Sequence, residues 1–117
     1  MARLELRQPA GNILKADYLL DHNHLLAAGV LGRAMLEGHL RKLCNRHGSM
    51  PAGNTTISVL NDALYKAQHL DKLAMQGVTK MATAGNHCAH NRHPPLPKAD
   101  VKLLLRDVRE FLARHPA

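Results

Sequence analysis

The chain has 117 residues, 45% of them apolar and only 3% aromatic, with 16 Lys and Arg against nine Asp and Glu for a formal charge of +7. That length fits one domain around one core, and no apolar run approaches the roughly 18 residues of a membrane-crossing helix. Two cysteines, Cys44 and Cys88, do not make a disulfide framework and read as reduced thiols of a cytoplasmic protein.

With no tryptophan and one phenylalanine, the core must come from leucine, alanine, valine and methionine, a set that leans towards helix. The positive charge favours polyanions such as nucleic acid, or acidic partners, while the scarcity of aromatics leaves little for base stacking. A merely soluble basic domain has the same composition. No signal peptide, internal repeat or low-complexity tract is visible, and Met1-Ala2-Arg3-Leu4-Glu5 reads as a cytoplasmic start.

Residues 1 to 11 alternate weakly and end in Pro9-Ala10-Gly11, which predicts an extended arm or a linker remnant of a longer protein. A single helical domain is expected over 12–115. Asn12 is placed to cap a short helix carrying Ile13, Leu14, Ala16, Leu19 and Leu20 to about Asp21. The polar run Asp21-His22-Asn23-His24 then makes a turn or a kink.

The longest helical pattern runs from His24 to about His47, closed by Gly48 and carrying Arg41, Lys42 and Arg46 where cations suit the helix dipole. Leu25, Gly29, Gly32, Leu36, Leu40 and Leu43 share one arc, widened by Leu26, Val30 and Cys44. Arg33 and Glu37, four residues apart, fall inside that apolar arc. They read either as a self-satisfied, partly buried ion pair or as a pair that orients a group on a neighbouring helix. Gly29 and Gly32 suggest a close helix crossing.

A loop over residues 49–54 leads to Thr55 or Thr56, either of which can cap a third helix with Ile57, Leu60, Leu64 and Ala67 inward. The pattern breaks at Gln68-His69, and Asp71 can cap a fourth helix. On it Leu70, Ala74, Gly77, Met81, Ala84 and Cys88 form a narrow inward face, opposite Lys72, Thr79, Thr83, Asn86 and His90. Asn86 and His90, four apart, therefore look outward, towards solvent, a ligand or a second subunit. After Pro94-Pro95, Pro97 suits the first turn of a last amphipathic helix through Val101, Leu104, Leu105, Val108, Phe111 and Leu112 to about Arg114.

The densest chemistry lies in residues 84–93, where His87, His90, His93, Cys88, Asn86, Asn91 and Arg92 crowd a helix end before the proline break. Three readings follow. His87, Cys88, His90 and His93 are metal-ligand types, although they form neither an i, i+4 histidine pair with a glutamate between nor paired ligands on separate elements. His90 could instead move a proton on a phosphodiester, with Asn86 positioning the substrate and Arg92 or Lys80 supplying charge. In the third reading Asn86 and His90 only hydrogen-bond loop backbone at the helix end.

Arg33-Ala34-Met35-Leu36-Glu37 on a long early helix, then Gly85-Asn86-His87-Cys88-Ala89-His90 about fifty residues later and a final amphipathic helix, resemble the bacterial domain-of-unknown-function 4145 family. The resemblance runs from roughly Ala16 to Arg114. That family belongs to the HEPN superfamily of small, often dimeric helical domains, whose active members resemble one another in an arginine, a following polar residue such as asparagine, and a histidine a few residues on. The resemblance implies a HEPN-like all-α bundle of four or five helices and a homodimer. It implies an RNA-directed role in bacterial or phage defence, either as a metal-independent endoribonuclease without a cofactor or as an RNA-binding relative. The alternative is a non-catalytic dimerisation or interaction module of a larger effector. Asn86 and His90 match the polar residue and the histidine; the residue before Asn86 is Gly85, so the arginine has no counterpart there.

Overall fold

Leucines at three- and four-residue spacing can leave water together only by packing helix against helix. The computed structural model describes residues 9–117 and, among them, holds five helices and no strand. These are α1 (Pro9–Asp21), α2 (Leu25–His47), α3 (Ile57–Lys66), α4 (Lys72–Ala89) and α5 (Lys98–Arg114), which make up the expected all-α bundle.

The central element is α2, which packs against all four of the others. Its Leu36 and Leu40 are fully buried in a main core with Leu60 and Leu64 of α3, Val78 of α4 and Val108 of α5. A second, smaller cluster joins Ala16 and Leu20 of α1 to Ala28, Cys88, Val101 and Leu105. Arg109 clamps α1 further by donating to both carboxylate oxygens of Asp17, at 2.8 and 2.7 Å.

Helix ends follow a common pattern. Thr56 and Asp71 cap α3 and α4, their side chains accepting from the N–H groups of Val59 and Ala74. The first four helices all end in a left-handed residue, Asn23, Gly48, Gln68 and Asn91, with the next N–H reaching back to the carbonyl five residues earlier. The run Asp21-His22-Asn23-His24 is thus a turn.

Several boundaries and faces differ from the sequence reading. Pro9, Ala10 and Gly11 belong to the first turn of α1, not to an extended arm, and Asn12 lies inside the helix; proline suits a first helical turn. The rest of the expected arm lies outside the described residues. The buried face of α2 is turned away from Leu26 and Val30, which are exposed, and includes Ala28, Met35 and His39. Ala67 caps the end of α3 in solvent, and Leu70 is buried from the loop before α4. Pro97 stands at the N-cap of α5, its carbonyl taking the N–H groups of Asp100 and Val101. No helix among the described residues is long and apolar enough to cross a membrane.

Candidate functional site

The last turn of α4 carries the site. Asn86 and His90 sit one turn apart, the N–H of His90 bonding the Asn86 carbonyl at 2.9 Å as the helix ends. Asn91 then takes φ +47°, and the N–H of Arg92 returns to the carbonyl of His87. The His87 ring faces the other way and donates from Nε2 to the Pro94 carbonyl at 2.7 Å, so the loop is tied to the helix that enters it. His87, rather than His90, makes the backbone lock that the sequence suggested.

Asn86 does not look out into solvent. Its Oδ1 accepts from Nε of Arg33 at 2.7 Å, a partly buried bond that joins α4 to α2 across 53 residues of sequence. Gly85 makes this approach feasible: a Cβ there would lie 2.8 Å from the Arg33 Cβ, inside contact distance. One turn on, Gly29 of α2 is pressed against Cys88 in the same way. Gly85 thus admits an arginine from another helix beside Asn86.

Arg33 and Glu37 do not act as a pair. Glu37 bonds Arg41 at 3.1 Å, and Arg41 also donates to the carbonyl and hydroxyl of Thr55, which draws Glu37 towards the α2–α3 loop. Of the two, Arg33 alone reaches Asn86. Lys80 lies on the side of α4 that faces α5, in a groove with Met81 and Asp107, and so points away from the Arg33 contact. His90 and Arg92 are exposed.

Cys88 faces the core, and burial pushes its thiol pKa up, as it does for Cys44. Cys88 is turned inward, whereas the His87 ring is bound to the Pro94 carbonyl. Among the described residues no three His, Cys, Asp or Glu side chains converge.

Chemically, the arrangement offers a guanidinium held by an amide, with an exposed imidazole one turn away. Only Nε of Arg33 is engaged among the described residues, which leaves its two terminal nitrogens to meet an anion in the forked geometry that suits phosphate. Exposed Leu26 and Val30 lie on the same stripe of α2 as Arg33, two turns and one turn before it respectively. Comparison with protein-family models, curated proteins and solved structures gave no match.

Sequence reasoning raised a role for Arg33 and Glu37 in orienting a group on a neighbouring helix as one alternative, but two particulars of the site escaped it. The partnership of Arg33 with Asn86 had one local signal, a glycine in mid-helix at position 85 that marks a close approach by something large. The bond from His87 to Pro94 had none, because it depends on how the loop returns.

Proposed function

We propose that this chain is a HEPN-like helical module directed at RNA, serving bacterial or phage defence in the cytoplasm. The observation that carries the reading is the Arg33–Asn86 hydrogen bond, which sets a cation beside Asn86 and one turn from His90. Arg33 takes the part of the missing motif arginine and holds the phosphate, Asn86 fixes Arg33, and His90 moves a proton to or from the ribose hydroxyl or the leaving oxygen. Arg92, just beyond His90, adds positive charge for the strand that approaches. The reaction is that of a metal-independent endoribonuclease, and a relative that has lost the chemistry keeps the same surface for RNA binding.

A second reading has its own support. Leu26 and Val30 are exposed beside Arg33, the composition expected of a surface that meets another protein, whether a second copy of the chain or the body of a larger effector. In the dimeric form two such sites face one another.

The test is cleavage of a mixed single-stranded and structured RNA pool in EDTA by wild type and by folded His90→Ala, Arg33→Ala and Gly85→Ala proteins. Gly85→Ala displaces Arg33 without removing any polar group. Loss of cleavage in all three supports the ribonuclease. RNA binding that weakens steeply with salt, without cleavage, supports the degenerate relative. Absence of both leaves the interaction module.

A further inference from the structure

A second surface, on the far side of α4 from Arg33, has no part in the reading above. There α4 and α5 run antiparallel and leave a groove in two contiguous stretches of about 640 and 370 Å³, which share Lys80, Met81 and Asp107. From Asp71 to His87 the groove follows α4 for about 24 Å at ~1.5 Å per residue. Its apolar surface comes from Leu73, Met81, Ala84, Leu103 and Phe111. Leu73 is 78% exposed, which leaves a leucine open to water at one end. Gly77 lies along the same wall, and a Cβ there would meet nothing within 4 Å. Nothing among the described residues therefore requires that glycine, which weakens α4 by roughly 1 kcal/mol relative to alanine.

The charge of the groove runs against that of the chain. Asp71, Asp100, Asp107 and Glu110 line it, whereas among the Lys and Arg of the described residues only Lys80 and Arg114 do. Arg106 approaches Asp107 and Glu110 only loosely, at 3.5 and 4.0 Å, on the solvent side. Phosphate backbone is repelled by such a lining. Two parallel helical ridges with an apolar floor and acidic rim suit a third helix with leucines on one stripe and lysine or arginine flanking them.

We propose that the α4–α5 groove is a docking site for a basic amphipathic helix of a partner protein. The apolar stripe of that helix covers Leu73, Met81 and Leu103, its backbone passes over Gly77, and its cations meet Asp107 and Glu110.

The probe is a labelled 16-residue synthetic helix of leucine, alanine and lysine, with a glutamate-for-lysine version as control, read by fluorescence anisotropy. Wild type is expected to bind the lysine helix saturably and more weakly as salt rises, and to ignore the glutamate helix. Gly77→Leu fills open space, so it keeps the fold and blocks the groove. Asp107→Lys with Glu110→Lys inverts the preference. Each is expected to weaken lysine-helix binding by about tenfold or more. Equal binding by wild type and both variants, or no saturable binding by wild type, overturns the proposal. So does a dimer in sedimentation that Gly77→Leu alone dissociates, since the groove would then belong to a second copy, and so does an oligoribonucleotide that displaces the peptide from wild type but not from the blocked groove. None of these readouts depends on RNA cleavage.

Discussion

At the scale of single residues, the hardest position to read was Arg33. An arginine within an apolar arc signals a partner, but the sequence offers Glu37 four residues on as the obvious one, and the actual partner is an asparagine 53 residues away. The choice is made by Arg41, a turn further along, which takes Glu37 for itself. His39 was not legible as a special residue at all, yet it is buried, its Nε2 donates to the His115 carbonyl, and its ring meets Phe111 edge-on. Burial pushes its pKa below the ordinary 6.5, the His115 carbonyl raises it by less, and the positive charges of Lys42 and His115 lower it further. The unfolded chain therefore takes up this proton first as pH falls. Stability from His39 is complete above about pH 6.5, where both states are neutral, and drains away as pH drops through the lowered folded value. Melting temperatures taken from about pH 7.5 to 5 should fall more steeply for wild type than for His39→Gln, which keeps a donor for the carbonyl but cannot titrate. Parallel slopes for the two proteins would remove His39 from the account.

At the scale of elements, the sequence was most informative where the physics is local. Thr56 and Asp71 start helices because their side chains meet N–H groups three residues on, and those two caps can be read from residue type and spacing. The ends are less uniform. Gly48 announces itself, whereas Gln68 adopts φ +64° as a long side chain that rarely does so, and the chain accepts the strain because His69 must still reach the Leu64 carbonyl. The two positions make a matched pair, since a Cβ at Gly48 would meet nothing within 4 Å and only the backbone can object. Gly48→Ala is expected to cost about 1 kcal/mol for its left-handed conformation. Gln68→Gly should move stability the opposite way by up to about 1 kcal/mol, less what the freer unfolded chain takes back. Urea midpoints with unchanged m values would check both. Local reasoning placed Gly29, Gly32, Leu36, Leu40, Leu43 and Cys44 of α2 inward, where they lie, but it widened the face the wrong way, because a long helix with leucines and alanines around much of its girth has the edges of its buried side chosen by its neighbours. Leu26 and Val30 ended up outside for that reason.

At the scale of the whole molecule, the bundle is organised unevenly, and its stability should be too. α2 packs against each of the other helices and contributes to both hydrophobic clusters. α1 has buried positions only in the smaller cluster, Ala16 and Leu20, and meets α2 and α5 but neither α3 nor α4. Its remaining ties are the partly buried Ile13 and Leu19 and two exposed polar contacts, Asp17 with Arg109 and, in the turn just beyond the helix, Asn23 with Lys98. Helices with few buried apolar contacts open below the global transition, in cooperative units. Hydrogen exchange under native conditions should therefore show the α1 amides exchanging by a separate, lower-energy opening while the centre of α2, around Leu36 and Leu40, exchanges only with global unfolding. Arg109→Ala should speed α1 exchange by no more than a few-fold, since an exposed ion pair contributes about 0.2–1 kcal/mol, and should leave the α2 centre unchanged. Equal acceleration in α1 and α2 would mean that the bundle opens as one unit and that α1 is as integral as the rest. The separate opening would have a functional side as well, because Ala28 and Cys88 share the smaller cluster with α1. Loss of α1 would loosen the packing directly behind Asn86 and His90 while the main core stayed intact.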